Sequence, residues 1–254
     1  MRRGPMLWLS LALLPVLGLP KVARAETAQD GRETVVLLHG LGRTPRSMKR
    51  LERRLEAQGF RVVNVAYASR RQTVEEASRS LGAELKRRCP ARTTRVHFVT
   101  HSLGSIVVRH YLSHHRPENL GRVVMLGPPN GGSELVDLMK RLPVLRHHVG
   151  PSRSQLGTDP SSLPARLGPV DFDLGVIAGT RTWNPLFSWV LPGPDDGMVA
   201  VERAKVEGMT DFLTVRRTHT FMMRGREVFE QTIRFLRSGA FEHDVPRGQS
   251  AGRT

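Results

Sequence analysis

Residues 96–105 read VHFVTHSLGS, an apolar run that passes through Ser102 into a stretch with helical character. The first five residues are mainly β-branched or aromatic and none carries a full charge at neutral pH, which is typical of a strand buried on both faces. A helix is predicted from about residue 103 to residue 115. The sequence therefore predicts a buried strand that enters a helix through a sharp turn, with Ser102 at the apex of that turn.

The same alternation of apolar and amphipathic stretches continues on both sides of this segment. Short strands that alternate with longer helices indicate a parallel sheet with helices on both faces. The predicted fold class is therefore α/β. Strands are predicted at residues 34–38, 61–66, 95–100, 122–126, 174–178 and 212–216, and helices at residues 46–58, 73–88, 103–115 and 221–237.

Composition restricts the possible partners and cofactors. The chain has 254 residues, 39 Lys+Arg against 23 Asp+Glu, and a formal net charge of +16. This excess favours attraction to anionic surfaces, but no motif with interleaved aromatic residues supports nucleic-acid binding. The single cysteine, Cys89, excludes an internal disulfide framework and a multi-cysteine zinc site.

The first 25 residues have the pattern of an export signal. Arg2 and Arg3 precede an apolar stretch over residues 6–19, and Ala-Arg-Ala follows at 23–25. The apolar stretch is shorter than the ~20 residues that a helix needs to span a bilayer. We predict a signal peptide over residues 1–25 and a secreted or periplasmic protein, with an uncleaved N-terminal membrane anchor as the alternative.

The alternation breaks over residues 127–173, where proline and glycine are frequent and one helix is predicted near 133–141. Connections of this length are uncommon unless they are functional loops or lids. We predict one α/β domain over residues 26–240 with a lid-like insertion at about 128–173. The polar residues 241–254 are predicted to form a flexible tail.

The turn at Ser102 has the pattern of a nucleophile elbow, written G-x-S-x-G. The turn is so tight that the residues two before and two after the serine must be small. Gly104 satisfies this requirement, whereas Thr100 replaces the first glycine. An elbow exposes the serine Oγ at the N-terminus of a helix, which favours developing negative charge. Ser102 is the predicted nucleophile.

A serine nucleophile needs a base and an acid that orients the base, and in chains with this elbow the order is Ser, Asp or Glu, His. Asp195 and Asp196 follow the strand at 174–178, and His219 follows the strand at 212–216. Both positions follow the carboxyl end of a strand, where open α/β sheets bind ligands. We predict His219 as the base and Asp196, directly before a glycine, as the acid in preference to Asp195.

A tetrahedral intermediate also needs hydrogen-bond donors for its oxyanion. The backbone N–H of Leu103, directly after the nucleophile, is one expected donor. The loop after the first strand reads HGLG over residues 39–42, and its glycines allow close approach to a substrate. The N–H of Leu41 is the second expected donor, and His39 is expected to make a structural hydrogen bond.

These segments resemble the α/β-hydrolase superfamily, specifically its bacterial lipase and esterase branch. The matching stretches are LLHGLG at 37–42, THSLG at 100–104, GPPNGGS at 127–133, DGMV at 196–199 and THT at 218–220. The GPPNGGS segment departs from the G-T-P-x-x-G-S pattern of lipases because it has two prolines. The resemblance implies hydrolysis of carboxylic esters through an acyl-enzyme, without a cofactor or metal. Thioesterase, amidase or deacetylase activity on this fold, and a non-catalytic descendant that binds lipid or a partner, remain as alternatives.

Two apolar stretches and one basic stretch bear on the substrate. The segment WNPLFSWVL at 183–191 precedes Asp196 and is a candidate acyl pocket, with ordinary core packing as the alternative. An apolar lid face could be formed by Leu135, Leu138, Met139, Leu142 and Leu145. Attraction to anionic lipid head groups could come from Arg43, Arg46, Lys49, Arg50, Arg53 and Arg54, which could equally form a solvated helix face.

Export predicts a defined N-terminus for the secreted chain. Cleavage after the small residues at 23 and 25 should leave a protein that begins at Glu26. Intact-mass spectrometry of protein recovered from the periplasm or the medium measures this directly. Retention of residues 1–25 in that protein would support the anchor instead.

Overall fold

The computed structural model describes residues 31–89, 94–146 and 150–243. Its centre is a six-stranded parallel sheet with the order β2-β1-β3-β4-β5-β6. This confirms the predicted α/β class, and the strand positions agree with those expected from sequence to within two residues. The strands are β1 (Thr34–Leu38), β2 (Arg61–Val65), β3 (Val96–His101), β4 (Leu120–Leu126), β5 (Leu174–Gly179) and β6 (Asp211–Val215).

Helices follow each of the six strands along the chain. The longer helices are α1 (Lys49–Ala57), α2 (Val74–Arg88), α3 (Leu103–His114), α4 (Glu134–Arg141) and α10 (Arg226–Ser238). The shorter ones are α5 (Pro143–Arg146), α6 (Pro151–Ser154), α7 (Leu163–Arg166), α8 (Pro185–Ser188) and α9 (Val201–Ala204), with 3-10 turns at Pro45–Met48 and His219–Arg224.

Both faces of the sheet are covered, because side chains alternate along each strand. In β1, Val36 and Leu38 pack into a core shared with α2 and α3. Val35 and Leu37 pack on the opposite face, in a core shared with α1 and α10. Burial on both faces explains why β1 is a continuous apolar run, as expected for a strand inside a parallel sheet.

The last helix differs from the sequence-based expectation of one helix over residues 221–237. A 3-10 turn at His219–Arg224 comes first, and α10 begins only at Arg226 after Gly225. His219 therefore lies at the start of a short separate turn. Its backbone N–H donates to the carbonyl of Asp196, so the turn is tied to the loop after β5.

The insertion at 128–173 contains four helices, α4 to α7, where one was predicted. Leu135 packs against Leu191 and Ala200, so part of the expected apolar lid face lies in a small core of its own. A lid function of this segment stays a prediction. The side chain of Leu145 lies outside the described part.

Arg109, on the buried side of α3, ties this insertion to the domain. Its guanidinium donates to the backbone carbonyls of Asn130 at 3.1 Å and Gly168 at 2.6 Å, and to Pro164 at 3.5 Å. The side chain of Asn130 also accepts from it, at 3.2 Å. Arg109 is 3% exposed, and burial lowers its pKa to about 10, so it remains charged at neutral pH. No carboxylate pairs with it in the described segments.

The described residues stop short of both ends of the chain. The predicted signal peptide, residues 1–25, and residues 244–254 of the predicted tail lie outside the described residues. Phe241 is buried against Phe235, and His243 contacts Asp211, so the packed domain extends to residue 243. Within the three described ranges, no helix is long and apolar enough to cross a membrane.

Replacing Arg109 with methionine should destabilise the protein by about 2–4 kcal/mol, because the carbonyl groups of Asn130, Pro164 and Gly168 would lose the guanidinium donor that they share. Arg116→Met is the matched control, since Arg116 is exposed and bonds Asp171 at the surface. The control should change stability by about 1 kcal/mol or less. Chemical denaturation of both variants measures this, and equal losses would contradict the role given to Arg109.

Candidate active site

Ser102 lies in a strained turn between β3 and α3. Its φ of 54° and ψ of −123° make it the one non-glycine residue with a positive φ in the part of the chain that the structure describes. Its N–H donates to the carbonyl of Leu126 at 3.0 Å, which fixes the turn to β4. This is the sharp elbow that the sequence predicted.

The glycine two residues later is required by contact. A Cβ at Gly104 would lie 2.8 Å from the carbonyl oxygens of Leu38 and His39. These are backbone atoms of the neighbouring strand and loop, so they cannot move aside as a flexible side chain could. Only glycine allows α3 to begin this close to β1.

Thr100, which replaces the first glycine of the pattern, is accommodated by a hydrogen bond. Its Oγ1 lies 2.8 Å from Oγ of Ser105, and both residues are fully buried. The larger residue thus satisfies its own hydroxyl inside the elbow and links β3 to α3. This contact explains how threonine fits where the pattern has glycine.

His219 connects Ser102 to Asp196. Its Nε2 lies 2.9 Å from Oγ of Ser102, and its Nδ1 lies 2.7 Å from Oδ2 of Asp196. A neutral ring with its proton on Nδ1 satisfies both contacts, because Nδ1–H donates to the carboxylate and Nε2 accepts the serine O–H. The structure therefore brings together the three side chains predicted as nucleophile, base and acid.

The two neighbouring aspartates differ in what they contact. Oδ1 of Asp196 accepts from the backbone N–H groups of Met198 at 3.0 Å and Val199 at 2.9 Å, which leaves Oδ2 for His219. Oδ1 of Asp195 accepts from the N–H of Gly197 at 2.7 Å. Asp195 shapes the turn, and Asp196 contacts the imidazole.

Two glycines leave room for this pair of side chains. A Cβ at Gly127, which has a φ of +55°, would lie 3.0 Å from Oδ2 of Asp196 and 3.1 Å from Nδ1 of His219. A Cβ at Gly179 would lie 2.8 Å from Cβ of Asp196. Gly127 is the first residue of the GPPNGGS segment, so that segment begins directly against the acid and base.

His101 supports the position of His219, which the sequence analysis did not predict. It is buried, and its Nε2 donates to the backbone carbonyl of His219 at 3.0 Å, which holds the turn that carries His219. Burial, and secondarily the nearby His219, keep the pKa of His101 well below its usual range, so this ring is neutral. Its position beside Ser102 was the only sequence signal, and adjacency alone does not indicate a contact with a residue 118 positions away.

The loop at residues 39–42 packs directly against the nucleophile. A Cβ at Gly40 would lie 3.1 Å from Cβ of Ser102 and 2.8 Å from Nδ1 of His101. The backbone N–H groups of Leu41 and Leu103 have no acceptor among the described residues, and the N–H of Leu103 is one of the unpaired donors at the start of a helix. Both predicted oxyanion donors are therefore available.

His39 has the structural role that was expected. It is fully buried, its ring stacks on Tyr67 at 4.4 Å between centroids, and its Nδ1 lies 3.0 Å from the carbonyl of Gly40. The hydroxyl of Tyr67 donates to the backbone carbonyl of His39 at 2.6 Å. Burial lowers the pKa of His39, which keeps the ring neutral.

Large apolar side chains are exposed in the chain segments around Asp196 and His219. Met198 and Phe221 lie two residues after Asp196 and His219, and the ring of Trp183 meets the ring of Phe221 edge-on at 6.3 Å. Most of the segment at 183–191 lies at the surface. Core packing, the alternative expected from the sequence, does not describe it. The set, called the apolar rim below, consists of Trp183, Leu186, Phe187, Trp189, Met198 and Phe221.

Other aspartate and histidine residues of the second half of the chain lie away from this site or outside the described residues. Asp211 starts β6, at the opposite end of the sheet from His219, and binds His243 and the backbone N–H of Phe241. His147 and His148 lie outside the described residues. Across the ranges that the structure describes, no cluster of three or more His, Cys, Asp or Glu side chains is arranged to hold a metal ion.

Comparison with known proteins agrees with this geometry. A family model described as "Alpha/beta hydrolase family" matches residues 35–243. The match spans most of the chain and all of the elements that carry Ser102, Asp196 and His219, so the chain belongs to the alpha/beta hydrolase family. No curated protein sequence matches it closely enough to be called a relative.

Solved structures with this fold include lipases and esterases. The chain is similar to the mature form of lipase BlEst2 of Bacillus licheniformis, with a TM-score of 0.68 and 18% identity over 83% of this chain and 94% of that one. It is similar to phospholipase PlaB of Legionella pneumophila, with a TM-score of 0.65 and 16% identity over 83% of this chain and 60% of that one. It is also similar to the metagenomic carboxyl esterase MGS0156, with a TM-score of 0.57 and 18% identity over 75% of this chain and 65% of that one. At these identities the likeness shows the fold alone.

Proposed function

We propose that this protein is an exported serine hydrolase that cleaves carboxylic esters of a lipid-like kind. In this proposal Ser102 is the nucleophile, His219 the general base and Asp196 the residue that orients the base. The observation that carries it is the continuous chain of hydrogen bonds from Ser102 through His219 to Asp196, at 2.9 and 2.7 Å. Export rests on the sequence of residues 1–25.

The first half of the reaction forms an acyl-enzyme. Oγ of Ser102 attacks the ester carbonyl carbon as Nε2 of His219 takes the hydroxyl proton. The carboxylate of Asp196 stabilises the resulting imidazolium through the Nδ1–H bond. When the C–O bond to the alcohol breaks, His219 returns the proton to the departing oxygen.

The second half releases the acid. Water attacks the acyl-serine, again giving its proton to His219, and collapse of the intermediate returns that proton to Oγ of Ser102. In both halves the carbonyl oxygen becomes negative and needs preorganised donors. The free N–H groups of Leu41 and Leu103 are proposed to supply them, supported by the packing of Gly40 against Ser102.

The apolar rim supports an acyl chain or lipid as substrate. Exposing tryptophan and phenylalanine to water is unfavourable, so a cluster of them beside a reaction centre favours an apolar ligand or surface. Trp189 is 85% exposed and Trp183 is 73% exposed. An anionic membrane surface is a further proposed partner, consistent with the exposed Arg46, Arg50 and Arg53 of the first helical segment.

Removing the nucleophile or the base should abolish turnover without unfolding the protein. Ser102→Ala and His219→Ala should each lower kcat at least ~10³-fold on an activated butyrate ester. The double variant should be little worse than either single one, because the two residues act as a unit. Stopped assays with thermal denaturation alongside measure both properties.

The outcome also separates this proposal from the alternatives. A fluorophosphonate probe should label the wild type and not Ser102→Ala, whereas a non-catalytic descendant would label neither. Matched ester, thioester and amide substrates of one acyl length then identify the bond. Independent, additive losses in the double variant would show that the two residues do not form one catalytic unit.

The acid is tested by two neighbouring substitutions. Asp196→Asn should lower kcat by about 10³–10⁴-fold, because the amide can hold the imidazole in the wrong tautomer. Asp195→Asn should lower kcat by about tenfold at most, because an asparagine oxygen can still accept a hydrogen bond from the N–H of Gly197. A larger loss for Asp195→Asn would exchange the two assignments.

A further inference from the structure

Three arginines lie on segments that are hydrogen-bonded to one another beside the loop that packs on Ser102, and none has a carboxylate partner in the described ranges. They are Arg43, Arg70 and Arg153, called the arginine cluster below. They come from three different segments: the loop after β1, the loop after β2, and helix α6 of the insertion. The fold therefore assembles positive charge that the sequence keeps far apart.

Serine hydrogen bonds hold these three segments together. Oγ of Ser69 accepts from the N–H of Gly42 at 3.0 Å, and Oγ of Ser152 donates to the carbonyl of Ser69 at 2.7 Å. Each arginine of the cluster directly follows one of these bonded residues in the chain. The backbone connections of the cluster are therefore well defined, although its members lie on loops and a short helix.

The cluster lies close to the proposed reaction centre. The guanidinium of Arg70 packs on Gly42, where a Cβ would be only 2.9 Å from its Nε and Nη2 atoms. Gly40, two residues earlier, contacts Ser102, and two residues of extended chain span at most ~7 Å. A group held by Arg70 can thus belong to the same small molecule as a carbonyl held at Ser102.

The charges in the cluster are not compensated from within the described protein. Arg153 is half-buried, and its only hydrogen bond to a described residue is to Sδ of Met139 at 3.6 Å. Burial, and secondarily the charge of Arg70, lower the pKa of Arg153, so the two cations are close enough to repel. Like charges gathered without a counter-ion favour binding of an anion. Arg109 is different, because four acceptors surround it.

We infer that the arginine cluster binds a phosphate group of the substrate, next to the ester that Ser102 attacks. This rests on the proposed function and narrows its substrate class to phosphate-bearing esters. Guanidinium groups match phosphate oxygens through paired N–H donors, and a phosphate carries enough charge to engage more than one of them. The phosphate could be that of a lipid head group or of a small soluble phosphate ester.

Competitive inhibition with matched compounds tests the inference. Hexyl phosphate and hexanol have the same six-carbon alkyl group and differ only in the phosphate. Their inhibition constants are measured against a neutral butyrate ester at fixed salt, and the ratio of the two constants reports the contribution of the phosphate. In the wild type hexyl phosphate should bind at least about tenfold more tightly than hexanol. In Arg70→Gln this preference should fall to about threefold or less.

Two further variants make the result decisive. Arg79→Gln is the matched control, because it removes the same charge from an exposed position on α2 that is not part of the cluster. This variant should keep the wild-type preference for hexyl phosphate over hexanol. Arg153→Gln should lose the preference as Arg70→Gln does, and it serves if Arg70→Gln folds poorly. No preference in the wild type, or equal losses in Arg79→Gln and Arg70→Gln, would overturn the inference.

Calorimetry separates failure of this inference from failure of the proposed function. Binding of hexyl phosphate needs no turnover, so an Arg70-dependent binding signal without ester hydrolysis would keep the phosphate site and reject the hydrolase. Comparison of dihexanoyl phosphatidylglycerol with dihexanoylglycerol as substrates then identifies the source. A preference for the phospholipid indicates a lipid head group, and its absence together with tight hexyl phosphate binding indicates a small soluble ester.

Discussion

The positive φ of Ser102 is the constraint on which the site depends. A non-glycine residue in this conformation costs of the order of 1–3 kcal/mol, so the surrounding structure must hold it. Three contacts hold it there: the hydrogen bond from Ser102 to Leu126, the close approach of Gly104 to the carbonyls of Leu38 and His39, and the hydrogen bond between Thr100 and Ser105. The strain places the serine hydroxyl at the carboxyl end of β3, where two other loops approach it: one carries His219 and the other contains Gly40.

Those loops are held by their own hydrogen bonds more than by regular secondary structure. His101 donates to the carbonyl of His219, and the N–H of His219 donates to the carbonyl of Asp196. The bonded side chains are thus also joined through their backbones. Such support holds the side-chain hydrogen bonds of His219 in place, and the proposed proton transfer would require placement to a fraction of an ångström.

Two kinds of arginine show how the fold uses its positive charge. Arg109 is buried and satisfied by carbonyl oxygens, so it binds the insertion to α3. The arginine cluster is incompletely satisfied and lies beside the loop at residues 39–42. The net charge of +16 cannot distinguish these roles, because a sum of charges has no positions. It is the partners of each guanidinium that separate a structural cation from one free to bind a ligand.

The sequence by itself determined the α/β class, the elbow at Ser102 and the order of the residues in the candidate site, because buried strands and tight turns restrict residue types locally. It also favoured Asp196 over Asp195 through the glycine that follows. Only the tertiary structure decided the contact of His101 with His219, the four helices of the insertion, the 3-10 turn before α10 and the joining of the segments that carry Arg43, Arg70 and Arg153. These depend on contacts between segments far apart in the chain, and local periodicity carries no information about such contacts.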